Sequence, residues 1–251
     1  MITSSGEWHQ RYCRQATWTS SLRKYLFNKG KINDARRILE VGCGTGAVLS
    51  EFNFSTSLIY GLDLDRTHLS LCRTHTLSAL LTQGDALTLP YNTGCFDLVY
   101  SHFLLLWLTQ PLQALTEMQR VTQPGGYVLA IAEPDYGGRI DYPGELAHLG
   151  QLQALALDRQ GANPSIGRRL SELFHQAGLE NIQTGVLGGE WQAIPTQEER
   201  ESEWQTLESD LAEIIPPVQL SQYREIDEKA WLAGSRVLYV PTFYASGQVP
   251  I

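Results

Sequence analysis

Cysteine is scarce in this chain of 251 residues. There are four, at Cys13, Cys43, Cys72 and Cys95, and they lie far apart. With no CxxC pair and no His-rich neighbourhood, neither a zinc site nor a disulfide framework is implied, and reduced thiols in a cytoplasm are the default. Positive charge is also short: 19 Lys and Arg stand against 27 Asp and Glu, a formal net charge of −8. That balance argues against an electrostatically driven nucleic-acid or anionic-membrane partner. The basic residues of the N-terminal third, Arg11, Arg14, Arg23, Lys24, Lys29, Lys31, Arg36 and Arg37, read as a solvated helix face. No stretch reaches the length of an uninterrupted membrane span, and MITSSGEWHQRYC has no apolar core of a secretory signal. Repeats and low-complexity tracts are absent. The expectation is a cytoplasmic protein without metal, nucleic acid or membrane, and its 43% of hydrophobic residues is enough to bury a full core.

What is present is an α/β rhythm. Residues 7–28 carry Trp18, Leu22, Tyr25 and Leu26 at helical spacing. Short apolar strands follow at 37–41, 58–62, 80–83, 96–101 and 127–132, with helices beginning at Thr67 and running from Leu112 to Val121. Strands alternating with helices and carrying apolar runs indicate a parallel sheet covered on both faces. After residue 134 the pattern changes. Residues 135–165 are rich in Gly, Asp and Tyr before they turn helical, 170–179 is an amphipathic helix, and 182–192 alternates as a strand. An acidic helical insertion spans about 196–232, divided by Pro216-Pro217, and 236–244 reads as a last strand. The whole reads as a single domain, 1–251, with an N-terminal helical stretch, 7–30, and helical additions on its edge.

Three strand ends carry the chemistry. In Ile38-Leu39-Glu40-Val41-Gly42-Cys43-Gly44-Thr45-Gly46 a strand runs into alternate glycines and then a helix start, which lets a ligand lie against bare backbone. The spacing is G-x-G-x-G, not the G-x-G-x-x-G of dinucleotide binders, and no Lys-Ser or Lys-Thr of a P-loop follows. Asp63, in Gly61-Leu62-Asp63-Leu64-Asp65, ends the second strand where an acid can accept from both hydroxyls of a ribose; Asp65 fits a helix cap better. Asp85, in Gly84-Asp85-Ala86-Leu87, follows the third strand. Its carboxylate could accept an adenine amino group, with the amide of Ala86 reaching a ring nitrogen, or it could close an Asx turn.

In order and spacing, ILEVGCGTG, GLDLD, GDALTLPY, FDLVYSHFLLLWL and RVTQPGGYVLAIAEPD resemble the class I S-adenosylmethionine-dependent methyltransferases, and most the subgroup with the ubiquinone and menaquinone biosynthesis enzymes. The resemblance is specific from about residue 36 to 135. It implies a Rossmann-like, mostly parallel seven-stranded sheet with helices on both faces and an antiparallel last strand. It implies S-adenosyl-L-methionine as cofactor, with Glu40, Gly42, Cys43 and Gly44 around the methionine part, Asp63 and Leu64 at the ribose, and Asp85 and Ala86 at the adenine. Ser101 should lie near the methyl donor, and the stretch 12–18 across the cofactor as a lid, with Gln15 and Trp18 as contacts.

Methyl transfer from a sulfonium is an in-line displacement in which positioning and desolvation supply much of the rate. Candidates for taking an acceptor proton are His102, Asp135 and Tyr136, with Glu133 beside them. Arg139, Asp141, Tyr142, Trp191 and Tyr244 are plausible lining residues of an acceptor pocket suited to a small or medium organic molecule. Ser101-His102-Phe103-Leu104 departs from the acid-or-Asn, Pro-Pro, aromatic pattern of many nitrogen-methylating members, so oxygen, carbon and small-amine acceptors stay open. The rival readings are a nicotinamide-dependent oxidoreductase, whose fingerprint the glycine spacing fails, and a cofactor-binding regulatory protein without catalysis.

Overall fold

A computed structural model describes residues 5–28, 35–51, 57–186, 188 and 195–251. Two helices, α1 (Ser5–Trp18) and α2 (Ser20–Asn28), precede the alternation. It runs through β1 (Arg37–Val41), β2 (Leu58–Asp63), α3 (Arg66–His75), β3 (Leu80–Gln83), β4 (Phe96–Ser101), α4 (Pro111–Val121) and β5 (Thr122–Pro134). Then come β6 (Ile140–Tyr142), α5 (Ala147–Arg159), α6 (Leu170–Gln176), β7 (Glu180–Val186), α7 (Gln197–Leu211), α8 (Pro217–Leu232), β8 (Val237–Tyr239) and β9 (Thr242–Gln248). The main sheet has seven strands in the order β3-β2-β1-β4-β5-β9-β7. β1 to β5 pair in parallel, and β9 runs antiparallel to both β5 and β7. This is the mostly parallel sheet with an antiparallel last strand that the resemblance implied.

The central strands are apolar on both sides because both faces are covered. Leu39, Val41, Val99, Val128 and Ala130 face a cluster completed by Leu115 and Met118 of α4 and Leu173 and Phe174 of α6. Their alternates Ile38, Leu98, Tyr100, Leu129 and Ile131 face Leu22, Leu26 and Phe27 of α2 and Leu69 and Cys72 of α3. A third cluster, Leu146, Leu149, Ala156, Trp204, Leu207, Leu211, Ile215 and Leu220, belongs to α5, α7 and α8 and forms the core of a cap.

Three elements differ from the sequence expectation. The helix expected over 7–28 breaks at Thr19, whose hydroxyl and amide both bond to the Ala16 carbonyl and whose oxygen accepts from Arg23. Arg23 is therefore buried and paired with Glu51, not part of a solvated face. The strand expected over 182–192 is described as 180–186. The last strand expected over 236–244 is two strands: Val237–Tyr239 pairs with β6, and Thr242–Gln248 enters the main sheet. Pro241, which has no amide hydrogen to give a ladder, stands between them. Among the described residues no helix is long and apolar enough to cross a membrane, and no cluster of three His, Cys, Asp or Glu side chains could hold a metal ion.

Candidate functional site

Because β1 to β4 are parallel, their carboxyl ends share one edge of the sheet, the place where such sheets bind ligands. Glu40, Gly42, Cys43, Gly44, Asp63, Leu64, Asp85, Ala86 and Ser101 all lie on it. The glycine loop takes left-handed backbone at Gly42, Gly44 and Gly46. A Cβ at Gly42 would stand 2.7 Å from a Leu104 methyl and one at Gly46 2.7 Å from Cys72 Sγ. Among the described residues, a Cβ at Gly44 would meet only the Tyr12 ring, at 3.7 Å. Gly42 and Gly46 thus pack against protein, while Gly44 opens onto space.

Asp63 is tied into that loop. Its Oδ2 accepts from the Gly44 amide at 2.8 Å and its Oδ1 from the Asp65 amide at 2.9 Å. The imidazole of His68 lies 3.7 Å from Oδ1, and its pKa is raised, chiefly by that carboxylate. Asp65 caps α3 by accepting from the Thr67 and His68 amides, the helix-cap place its position suggested, which holds its own pKa down. Leu64, between them, is 69% exposed, an apolar surface turned outward beside the acid. Asp85 accepts from the Leu87 amide at 2.9 Å in an Asx turn, and Ala86 is buried against the core.

Glu40 is buried, and Tyr100 donates its hydroxyl to Oε2 at 2.9 Å. Burial drives the carboxyl pKa well up despite that bond. At the end of β4, Ser101 is fully buried, and its Oγ has no hydrogen-bond partner among the described residues. A buried polar atom without a partner is rare in a folded protein. His102 sits beside it with Nε2 2.8 Å from Thr19 Oγ1. Burial, reinforced by the Arg23 guanidinium, lowers its pKa to about 3, so the ring is neutral at physiological pH.

The groups at the end of β5 are committed. Glu133, fully buried, accepts from the amides of Leu104, Leu105 and Leu106, and burial raises its pKa to about 7. Asp135 holds Arg168 through both carboxylate oxygens, at 2.6 and 2.7 Å. Tyr136 opens a short turn, its amide bonded to the Pro164 carbonyl.

Helix α1 lies over the glycine loop. His9 Nδ1 is 2.8 Å from Thr45 Oγ1, and its ring stacks on His75 of α3 with centroids 3.7 Å apart. Gln15 is half-buried on the same helix, and Arg14 approaches Glu198 at the start of α7, 3.8 Å away. Trp191 and the side chain of Trp18 lie outside the described residues.

The sequence-predicted lining residues do not converge. Tyr142 is exposed, and Tyr244 packs its ring over Gly185 of β7. Arg139 is buried in the cap, donating to Asp141 at 2.7 Å and to Gln153 at 2.5 Å. Asp141 also accepts from Arg236 at 2.7 Å, and Arg236 donates to Asp227, which in turn accepts from the Trp204 indole. Sequence reasoning missed His9, His68, Thr19 and this chain of ions. Of these only His68 left a trace, five residues past Asp63 and in the first turn behind the Asp65 cap.

Residues 39–130 match the family model described as a methyltransferase domain. An uncharacterized methyltransferase of Schizosaccharomyces pombe is 34% identical over 148 residues, 53% of each chain. Demethylmenaquinone methyltransferase of Staphylococcus epidermidis is 34% identical over 115 residues, 43% of this chain and 48% of that protein. The chain spans about half the length of the curated relatives it matches. Among solved structures, a Haemonchus contortus phosphoethanolamine N-methyltransferase, determined with phosphomonomethylethanolamine and S-adenosylhomocysteine, superposes with a TM-score of 0.62 at 16% identity. That superposition covers 92% of this chain and 53% of the other.

Proposed function

Residues 39–130 belong to the methyltransferase-domain family, and from that premise we propose that this protein binds S-adenosylmethionine at the carboxyl edge of its sheet and methylates a small or medium organic acceptor. The observation that carries the reading is the opening at Gly44. The Gly44 amide donates to Asp63, and the same sheet edge carries the buried Ser101 Oγ, which has no hydrogen-bond partner among the described residues. An edge built only for packing would close that space and satisfy that hydroxyl.

The residues present fit the cofactor. Glu40, Gly42, Cys43 and Gly44 surround the methionine part, where a cationic amino group would offset the cost of the buried Glu40 charge. Asp63 takes the ribose hydroxyls, Leu64 presents apolar surface beside it, and Asp85 with Ala86 takes the adenine. Ser101 supplies a hydrogen bond near the reacting centre. Gln15 would close the site from α1, within the lid expected over 7–30; the Trp18 side chain, also expected as a contact, lies outside the described residues. When bound, the cofactor supplies a methyl group already activated on a sulfonium. The chain's own contribution is therefore to orient, to exclude water and to hold the acceptor in line.

Three groups are candidates to take an acceptor proton: His102, Asp135 and Tyr136. His102 is neutral but faces Thr19, and Asp135 is held by Arg168, so either acts only after giving up a partner. The acceptor side is assigned to Arg139 and Tyr142 of the cap and to Tyr244 of β9; Trp191, also expected there, lies outside the described residues. Arg139 acts there through the cap's shape, since its guanidinium already faces Asp141 and Gln153. The acidic balance of the chain supports an organic small molecule over a nucleic acid, and its four scattered cysteines support a reducing, cytoplasmic location.

Two measurements test the reading. Calorimetry should give micromolar binding of S-adenosylmethionine and S-adenosylhomocysteine and no comparable binding of NAD or NADP; the opposite preference ends it. Radiolabelled methyl transfer into a metabolite extract should mark a small molecule. Cofactor binding with no labelled product in any extract would favour a regulatory protein instead.

A further inference from the structure

Four side chains and backbone groups close a ring at the mouth of the proposed cofactor site. The Tyr12 ring of α1 is the nearest group to the open side of Gly44, and the Gly44 amide donates to Asp63 Oδ2 at 2.8 Å. Asp63 Oδ1 faces His68 Nδ1 at 3.7 Å, and the edge of one ring meets the face of the other between Tyr12 and His68, with centroids 5.9 Å apart at 89°. Of the side chains in this ring, it is His68 that meets both the acid on the sheet edge and the helix that lies over it. Its place is fixed by backbone, because Asp65 caps the first turn of α3 through the Thr67 and His68 amides.

We propose that His68 is a positioning residue with two separable tasks, holding the Asp63 carboxylate for the ribose and holding the Tyr12 ring, and with it α1, over the glycine loop. Asp63 already receives two amides, and the imidazole 3.7 Å from Oδ1 adds an ion-pair contact that limits its remaining rotational freedom. An edge-to-face ring contact gives α1 a defined seat without covering Gly44. A solvated histidine in a first helical turn would need neither neighbour, yet its side chain is only 27% exposed and lies between the two. The ribose half of the proposal rests on the reading under Proposed function. The α1 half does not.

Two substitutions separate the tasks. His68→Asn puts an amide nitrogen where Nδ1 stood but has no ring for Tyr12. His68→Phe keeps the ring and has no donor for Asp63. Two readouts are taken on the full chain: hydrogen exchange of the α1 amides without ligand, and the dissociation constant for S-adenosylhomocysteine. Expected is a crossed pattern. His68→Asn speeds α1 exchange about tenfold while affinity stays within about threefold of the parent, and His68→Phe leaves α1 exchange unchanged while affinity falls about tenfold, as for loss of one bond to a charged group. Thermal midpoints should match the parent in both. If the two variants behave alike in both readouts, His68 is a packing residue and the proposal is overturned. If the parent chain itself binds no S-adenosylhomocysteine, the proposed function fails. The α1 half then still stands or falls on the exchange contrast.

Discussion

The three loop glycines predict different consequences for the same small change. Gly44→Ala adds a methyl where the nearest protein atom is the Tyr12 ring at 3.7 Å, an ordinary contact, on backbone at φ +51°. The cost to the folded protein is the left-handed conformation alone, about 1–2 kcal/mol. For a chain of this size that lowers the thermal midpoint by roughly 2–8 °C. Gly46→Ala carries the same backbone cost and also drives its Cβ to 2.7 Å from Cys72 Sγ and 3.2 Å from the Thr76 methyl. Overpacking of that kind adds about 1–3 kcal/mol. Ligand binding should rank the other way. The Gly44 methyl occupies the space in which a cofactor would lie against the loop, so the dissociation constant for S-adenosylhomocysteine should rise at least about tenfold, roughly 1.4 kcal/mol. Differential scanning calorimetry and isothermal titration on the two variants decide it. Gly44→Ala binding as tightly as the parent, or losing as much stability as Gly46→Ala, would refute the reasoning that this opening is the cofactor's bed.

Asp63→Asn exchanges charge-assisted bonds for neutral ones and should weaken S-adenosylhomocysteine by about 1–3 kcal/mol in titration calorimetry; full affinity would make Asp63 a loop brace and nothing more. Asp141→Asn leaves two buried guanidiniums facing an amide and should destabilise the cap by about 3–5 kcal/mol, read as faster hydrogen exchange in 197–232 with cofactor affinity retained. His102, whose folded pKa of about 3 lies below its ordinary value, contributes stability that is complete above about pH 6.5 and is lost as pH falls toward 3. His102→Gln should therefore flatten the fall of thermal midpoint on that acid limb, and an unchanged limb would show that the ring is solvated. Glu133 has the reverse sign: its folded pKa is raised to about 7, so its contribution is complete below the unfolded carboxyl value and is lost as pH rises through 7. Replacing it by Gln should remove that loss while costing about 2 kcal/mol at pH 5, because one of the three amides then faces an amide donor.

The sheet was legible because its strands are buried on both faces, so β1, β2, β4 and β5 are apolar runs that no loop would carry. The order of Glu40, Asp63, Asp85 and Ser101 followed from strand ends, and Asp65 was separable from Asp63 because only the later residue precedes a helix start. The cap was not legible in the same way. β6 and β8 are three residues each and pair across nearly a hundred residues of chain, as in Asp141 against Leu238, so neither carries a periodicity that announces the other. Their pairing also explains why the last strand looked continuous: Val237 to Tyr239 has strand composition, but its partner is β6, not the main sheet. The seat of α1 was hidden for a related reason. His9 with His75 and Tyr12 with His68 are contacts between a helix before the glycine loop and a helix after it, and nothing local in either helix specifies the match.

The distribution of committed charge across the molecule bears on how acceptors are selected. On the sheet edge Glu133 and Asp135 are answered by backbone amides and by Arg168. In the cap Arg139, Asp141, Arg236 and Asp227 answer one another behind protein walls, with Arg139, Asp141 and Arg236 side chains each only 1% exposed. A buried network of this kind is weak support for stability but breaks hard when one member is removed. It fixes β6 and β8 to α5, α7 and α8 as one body, joined to the sheet where Pro134 pairs with Thr242. The cap therefore meets the sheet edge along a short two-stranded neck beside Ser101 and His102, and along the approach of Arg14 to Glu198. On the function proposed above, substitutions inside the network are expected to change acceptor turnover by shifting that body, with no contact to the ligand. Affinity for cofactor, set at the strand ends, is then expected to be retained, and titration calorimetry beside a methyl-transfer assay on the Asp141→Asn variant checks it.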